Sequence, residues 1–209
     1  MNTNKISQFL FLILLTIGTA CIRQSNSEGM SLPKRPDIQQ GIVAEARQYC
    51  SQNNLNTDVF LLVDLSRHSG LKRMFLIDFK SGVKDSFMVS HGCGNSQWTK
   101  DHSKENPSIS NIEESHCSSV GKYRIGSRGT SIFGNKIKYL LHGLDSSNSL
   151  ALKRAIVFHS WEYVTDEEIY PRGTAEGWGC PAISIHAFER IDSELQRSTR
   201  SVLLWVIKP

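Results

Sequence analysis

A thiol and an imidazole are the two groups of this chain best suited to do chemistry together. Cys180 sits in Gly177-Trp178-Gly179-Cys180-Pro181-Ala182, and His159 ends the apolar run Ala155-Ile156-Val157-Phe158, with Ser160 next. Glycines on one side of the cysteine let the backbone turn tightly and approach a ligand. Amide N–H groups beside a nucleophile are what an oxyanion hole requires, and here Gly179 and Cys180 supply them. A free thiol has a pKa of about 8.5 and is mostly protonated at neutral pH. A neighbouring histidine, with an ordinary pKa of about 6.5, can take that proton. The thiolate then attacks a carbonyl, and the histidinium returns the proton to a leaving amine, which leaves a thioester. Twenty residues intervene between the two groups, so the fold has to bring them together.

Each residue alone has a plainer reading. A lone cysteine is commonly a small buried hydrophobe, and a histidine at a strand end is commonly just hydrogen-bonded. Two glycines beside one thiol serve packing poorly, and that tips the balance toward chemistry.

The elements that must position this pair are mostly strands. Val59 to Leu65 and Met74 to Phe79 are short apolar runs about a Ser69-Gly70 turn, and Ser81-Gly82 leads to a third at Phe87-Met88-Val89. Further strands are predicted at Gly121 to Ile125, Ile137 to Leu141, Ala155 to Phe158 and Val202 to Ile207. Helical spacing marks Asp37 to Cys50 and Ser184 to Leu195, the second with Ser184 as its cap. Two long polar stretches, Val89 to Val120 and Ser160 to Gly179, interrupt the pattern, and loops of that length tend to be functional. The fold class is therefore mainly β, with few helices and long loops around the candidate site.

Composition narrows the partners. The chain has 209 residues, 39% hydrophobic, and a formal net charge of +4. That excess is small and scattered, which argues against nucleic acid as a partner. Lys5, the apolar run Phe9 to Leu15 and the small residues Gly18-Thr19-Ala20 form a signal-peptide pattern over residues 1–20. Cys21 follows directly, as in a lipobox, although Gly18 stands where leucine is usual; ordinary secretory cleavage also fits. The expectation is an exported, periplasmic lipoprotein anchored to a membrane through Cys21, with residues 21–35 as a tether and 36–209 as the catalytic domain. Export makes the remaining cysteines notable, because an oxidising compartment favours disulfides. Cys93 with Cys117 is the first pair to test, with Cys50 left over.

The segment around Cys180 resembles the active site of the murein L,D-transpeptidases, in which a histidine, a loop and then Ser/Thr-x-Gly-Cys follow in order. Trp178 to Ala182 match a Trp-Gly-Cys-Pro-Ala branch of that family. His91-Gly92, Ser118 to Tyr123 and Leu141 to Asp145 resemble the same branch, and the likeness runs from about Val59 to Ile207. It implies a β-sandwich catalytic domain, Cys180 as nucleophile, His159 as general base, and the Ser160 carbonyl as the group that orients the imidazole. It also implies a peptidoglycan stem tetrapeptide as acyl donor, an amine or water as acceptor, and no cofactor. Gly177 departs from the family's Ser or Thr, Trp178 replaces a second histidine found in many members, and Cys93 is unusual.

Trp178, His142, His91, Tyr123 and Arg124 are the expected substrate-binding residues. Arg128 and Trp161 are weaker candidates for the same surface. No metal is expected: His91-x-Cys93 and His116-Cys117 match no metal spacing with a mechanical rationale. Two other readings stay open at this point. One is a catalytically silent wall-binding lipoprotein, suggested by the lost Ser/Thr. The other is a zinc-dependent wall peptidase using the scattered His and Cys residues. A papain-like protease fits poorly, because there the cysteine precedes the histidine in the sequence.

Overall fold

The structure, a computed structural model, describes residues 40–209. The expected leader, the lipidation site Cys21 and the tether lie outside the described residues. Helix α1 spans Gln40–Gln52, and strands β1 Val59–Asp64, β2 Met74–Asp78 and β3 Gly82–Phe87 follow. Then come β4 Gly121–Thr130, β5 Ile137–Gly143, a 3-10 turn at Ser146–Asn148, and β6 Val157–Ser160. The chain ends with β7 Ala182–Ile183, helix α2 Ile185–Arg197 and β8 Leu203–Ile207. As the sequence predicts, the described fold is mainly β.

All eight strands join one sheet in the order β3-β2-β1-β8-β4-β5-β6-β7. β1 runs parallel to β8 and β6 parallel to β7; the other pairs are antiparallel. Alternation along β1 explains its unbroken apolar run. Val59, Leu61 and Val63 enter the main core, while Phe60 and Leu62 enter a second core under Ala46 and Cys50 of α1. A strand buried on both faces carries no polar alternation. The main core joins Met74 and Leu76, toward one end of the sheet, to Phe158 and Ile183 at the other. The sheet is therefore curled, barrel-like, around its main core. Ala187, Phe188 and Ile191 of α2 fill it, and Ser184 caps that helix by accepting the Ala187 N–H at 3.1 Å.

Two boundaries differ from the sequence reading in a way that builds the site. The third strand lies at Gly82–Phe87 rather than at residues 87–89. Residues beyond Phe87 leave β2 and bond instead to the cysteine segment: Ser90 N–H donates to the Ala182 carbonyl, and Ala182 N–H to Ser90 Oγ. β7 was hidden in the sequence because two residues carry no periodicity. It pairs with β6 and carries the chain out of the cysteine turn.

Candidate active site

β6 delivers the histidine and β7 the cysteine. His159 lies opposite Ala182, and Ser160 opposite Ile183. The Ser160 carbonyl can only accept a hydrogen bond, so His159 Nδ1 carries the proton in their 2.9 Å contact. Nε2 is then the free, basic nitrogen. Burial holds the His159 pKa below its ordinary value, against smaller upward effects from Ser160 and Glu162. The ring is therefore neutral at neutral pH and competent to accept a proton.

Cys180 is partly exposed at the edge of the main core. Val157 N–H donates to its sulfur at 3.4 Å, and the thiol points to the Ala155 carbonyl at 3.8 Å. Burial raises the thiol pKa, while the Val157 amide and the charges of Arg154 and Lys138 pull it down. No hydrogen bond joins Cys180 to His159. Cys180 lies two residues before the partner of His159, about 7 Å along a strand that rises roughly 3.3 Å per residue. The paired side chains foreseen from the sequence are thus neighbours on parallel segments, with the thiol turned away.

Gly179 makes this turn possible. Its φ is +101°, and a Cβ there would collide with the Cys117 carbonyl. Ser118 Oγ holds the Gly179 carbonyl at 3.4 Å, and Ser90 Oγ holds that of Cys180 at 3.3 Å. Among the described residues, the amides of Gly179 and Cys180 donate to no protein acceptor. Two adjacent donors are thereby free at the thiol, the arrangement an oxyanion needs.

The remaining candidates separate into two groups. Arg124 pairs across β4 and β5 with His142. Alternation with the buried Tyr123, Ile125 and Leu141 puts both on the same sheet face as Lys138 and His159. Trp178 is 58% exposed beside the cysteine. Two others are corrected. Tyr123 is 2% exposed, with its hydroxyl spent on the Ser119 carbonyl, so it is core. His91 is 0% exposed and both ring nitrogens are engaged.

What occupies His91 was not foreseen. Arg73 donates to its Nδ1 at 2.6 Å, so Nε2 carries the proton and lies 2.9 Å from Ser103 Oγ and 3.5 Å from Glu176 Oε1. Arg73 also donates to the carbonyls of Val89 and Arg67. Glu176 Oε1 accepts Ser103 N–H and Oγ–H, while its Oε2 is buried without a partner. Burial drives the His91 pKa down to about 4, helped by Arg73 and opposed by Glu176. Burial likewise lowers Arg73 to about 9. For Glu176 burial pushes upward, yet the His91 and Ser103 bonds prevail and its pKa ends below the ordinary value.

This network anchors the cysteine turn. Gly177 N–H donates to the His91 carbonyl at 2.7 Å, and Cys93 N–H to the Gly177 carbonyl at 2.8 Å. Arg154, also unforeseen, gathers the opposite wall through Ser110, Ser119, Ser115 and the Cys117 carbonyl. The only sequence signal for Arg73 was a charge beside an apolar strand. Cys93 and Cys117, the first pair to test for a disulfide, are buried free thiols, and Cys50 is free on the buried face of α1. The described residues contain no group of three or more His, Cys, Asp or Glu able to hold a metal ion.

Comparison with known proteins places the chain in a family. A search of solved structures finds the helical cell shape determining protein Pgp2 from Campylobacter jejuni, at 12% identity and a TM-score of 0.44, over 72% of this chain and 47% of that one. Bd1075 from Bdellovibrio bacteriovorus matches at 11% identity and a TM-score of 0.42, over 72% and 48%. An L,D-transpeptidase from Xylanimonas cellulosilytica matches at 9% identity and a TM-score of 0.39, over 77% and 68%. The chain spans about half the length of the first two. No curated protein matches the sequence. The family model described as L,D-transpeptidase catalytic domain covers residues 34–204, which is most of the sequence. The chain belongs to the L,D-transpeptidase catalytic domain family.

Proposed function

We propose that the protein is a peptidoglycan L,D-transpeptidase that works through a Cys180 thioester. Family membership supports a cell-wall transpeptidase-type activity. The observation that carries the finer reading is a partly exposed thiol beside two unengaged amides, one strand from a neutral histidine whose Nδ1 is fixed by Ser160.

Rotation of the Cys180 side chain away from Ala155 brings the thiol toward His159. Hydrogen bonds of this kind are often long before substrate binds and tighten in the complex. His159 Nε2 takes the proton, and sulfur attacks the carbonyl preceding the terminal residue of a stem tetrapeptide. The new C–S bond places negative charge on the carbonyl oxygen, where the Gly179 and Cys180 amides receive it. Collapse breaks the C–N bond, and the histidinium protonates the departing amine. The side-chain amine of a second stem, or water, then attacks the thioester and regenerates the thiol. Arg124 and His142, on the face shared with His159, are suited to a substrate carboxylate. Export, residence in the periplasm and lipid anchoring at Cys21 complete the proposal.

A second reading, a silent wall binder, is favoured by the thiol's engagement with Ala155 and its raised pKa. Incubation with a carbapenem, followed by intact-mass measurement, separates the two. An adduct absent from Cys180→Ala and retained in Cys93→Ala supports the enzyme. Unmodified wild-type protein supports the binder.

A further inference from the structure

Beside the cysteine turn lies an array of aromatic rings that the reaction above does not use. Trp178 stacks on His116 with centroids 5.1 Å apart and meets Trp98 at 5.6 Å. Trp98 in turn stacks on Trp161 at 5.8 Å, and Tyr163 abuts Trp161 edge-on at 5.3 Å. Trp161 is buried and forms the base, whereas Trp98 is 41% and Tyr163 57% exposed. Core aromatics are covered, and contiguous exposed ones mark an interaction surface.

Ring spacing shows that the stacked pairs are offset rather than face to face. Planes in van der Waals contact lie about 3.5 Å apart, so the Trp98–Trp161 pair is offset sideways by roughly 4–5 Å and the His116–Trp178 pair by about 4 Å. The rings overlap like shingles, with Trp98 and Trp178 partly exposed to solvent over the buried Trp161. Aromatic faces are slightly negative and attract the C–H groups of a flat saturated ring whose hydroxyls remain in water. A pyranose has that shape. A stem peptide, with its short side chains, carboxylates and amine, has no group of that breadth.

The array also has the necessary reach. From Trp178 to the exposed Tyr163 it extends up to about 17 Å, which accommodates three extended residues at roughly 3.5 Å each. Three residues separate the scissile carbonyl of a tetrapeptide from the amino sugar that bears it. We infer that Trp98 and Trp178, backed by the buried Trp161, form a glycan subsite, which stacks on the amino-sugar ring of the donor and makes the protein prefer sugar-linked stems over free peptides. The inference rests on the transpeptidase reading for its donor and on the aromatic array for its ligand.

Two measurements on the full chain test it. The first compares kcat/KM for a disaccharide-tetrapeptide and for the same tetrapeptide without sugar. One stacking contact corresponds to a preference of about tenfold for the sugar-linked donor. Trp98→Ala should reduce that preference to near one while changing the free peptide rate less than about twofold, and Trp98→Phe should retain it. Equal rates for the two donors in the wild type, or equal losses on both in Trp98→Ala, overturn the subsite. The second follows tryptophan fluorescence of Cys180→Ala during titration with an N-acetylglucosamine tetramer. Saturable change that disappears in Cys180→Ala/Trp98→Ala supports the subsite even if no donor is turned over, in which case the acyl-transfer reading alone fails. No change on titration overturns the subsite.

Discussion

Glu176 is a carboxylate held out of water only four residues before the nucleophile, and its removal has a calculable effect. Its Oε1 faces Ser103 and the His91 N–H, and beyond His91 lies the fully buried Arg73 guanidinium. Glu176→Ala removes one of the two carboxylates that offset that cation, Asp64 being the other, and leaves the Ser103 N–H and Oγ–H without their acceptor. Each buried donor left unpaired costs about 1–3 kcal/mol, so the two Ser103 donors together cost roughly 4 kcal/mol. A domain of this size loses roughly 2–4 °C of melting temperature per kcal/mol, so the melting point should fall by roughly 10 °C. Glu176→Gln keeps an acceptor for Ser103 but not the charge, and should lose about half as much. Thermal unfolding followed by circular dichroism reads both. A Glu176→Ala protein that melts within about 2 °C of wild type would refute the claim that this network anchors the turn.

Acidification should act on the same network: His91 binds its proton near pH 4 when folded and at an ordinary value when unfolded, so the stability it gives is complete above about pH 6.5 and lost as pH falls toward 4. That difference corresponds to about 3 kcal/mol, Glu176 adds a loss of the same sign at lower pH, and melting curves of His91→Gln should be flatter between pH 7 and 5. Gly179→Ala should abolish acylation and lower stability, because both φ and the Cys117 carbonyl exclude a Cβ; an acylating, normally stable variant would contradict this. His159→Ala should slow carbapenem acylation by about 10²- to 10⁴-fold, and an unchanged rate would move the base elsewhere. In the wild type that rate should hold below pH 6.5, since burial keeps His159 neutral to lower pH, and a rate halved already at pH 6.5 would count against it.

The sequence made the chemistry more legible than its support. The apolar runs of β1, β2 and β8 and the Ser184 cap could be read because their signals are local. Cys180, Gly179 and His159 stood out through glycine context and order along the chain. Arg73, Glu176, Arg154 and Trp98 did not, because their roles arise from partners outside their own elements, 16 or 18 residues away for Arg73 and 35 or more for Arg154. His91 and Tyr123 looked like groove residues by proximity in motif, and each turned out to be satisfied inside the fold. β7 was too short to signal itself, yet its pairing with β6 sets the separation of sulfur and imidazole.

The central claim is that Cys180 becomes acylated by a stem peptide. Rapid acid quenching of the protein mixed with a disaccharide-tetrapeptide, followed by peptide mapping, measures this directly. The expected result is a thioester on the Cys180 peptide, heavier by the acyl tripeptide with its sugars, and absent from Cys180→Ala. Product formation with the adduct on another residue, or turnover persisting in Cys180→Ala, would contradict it.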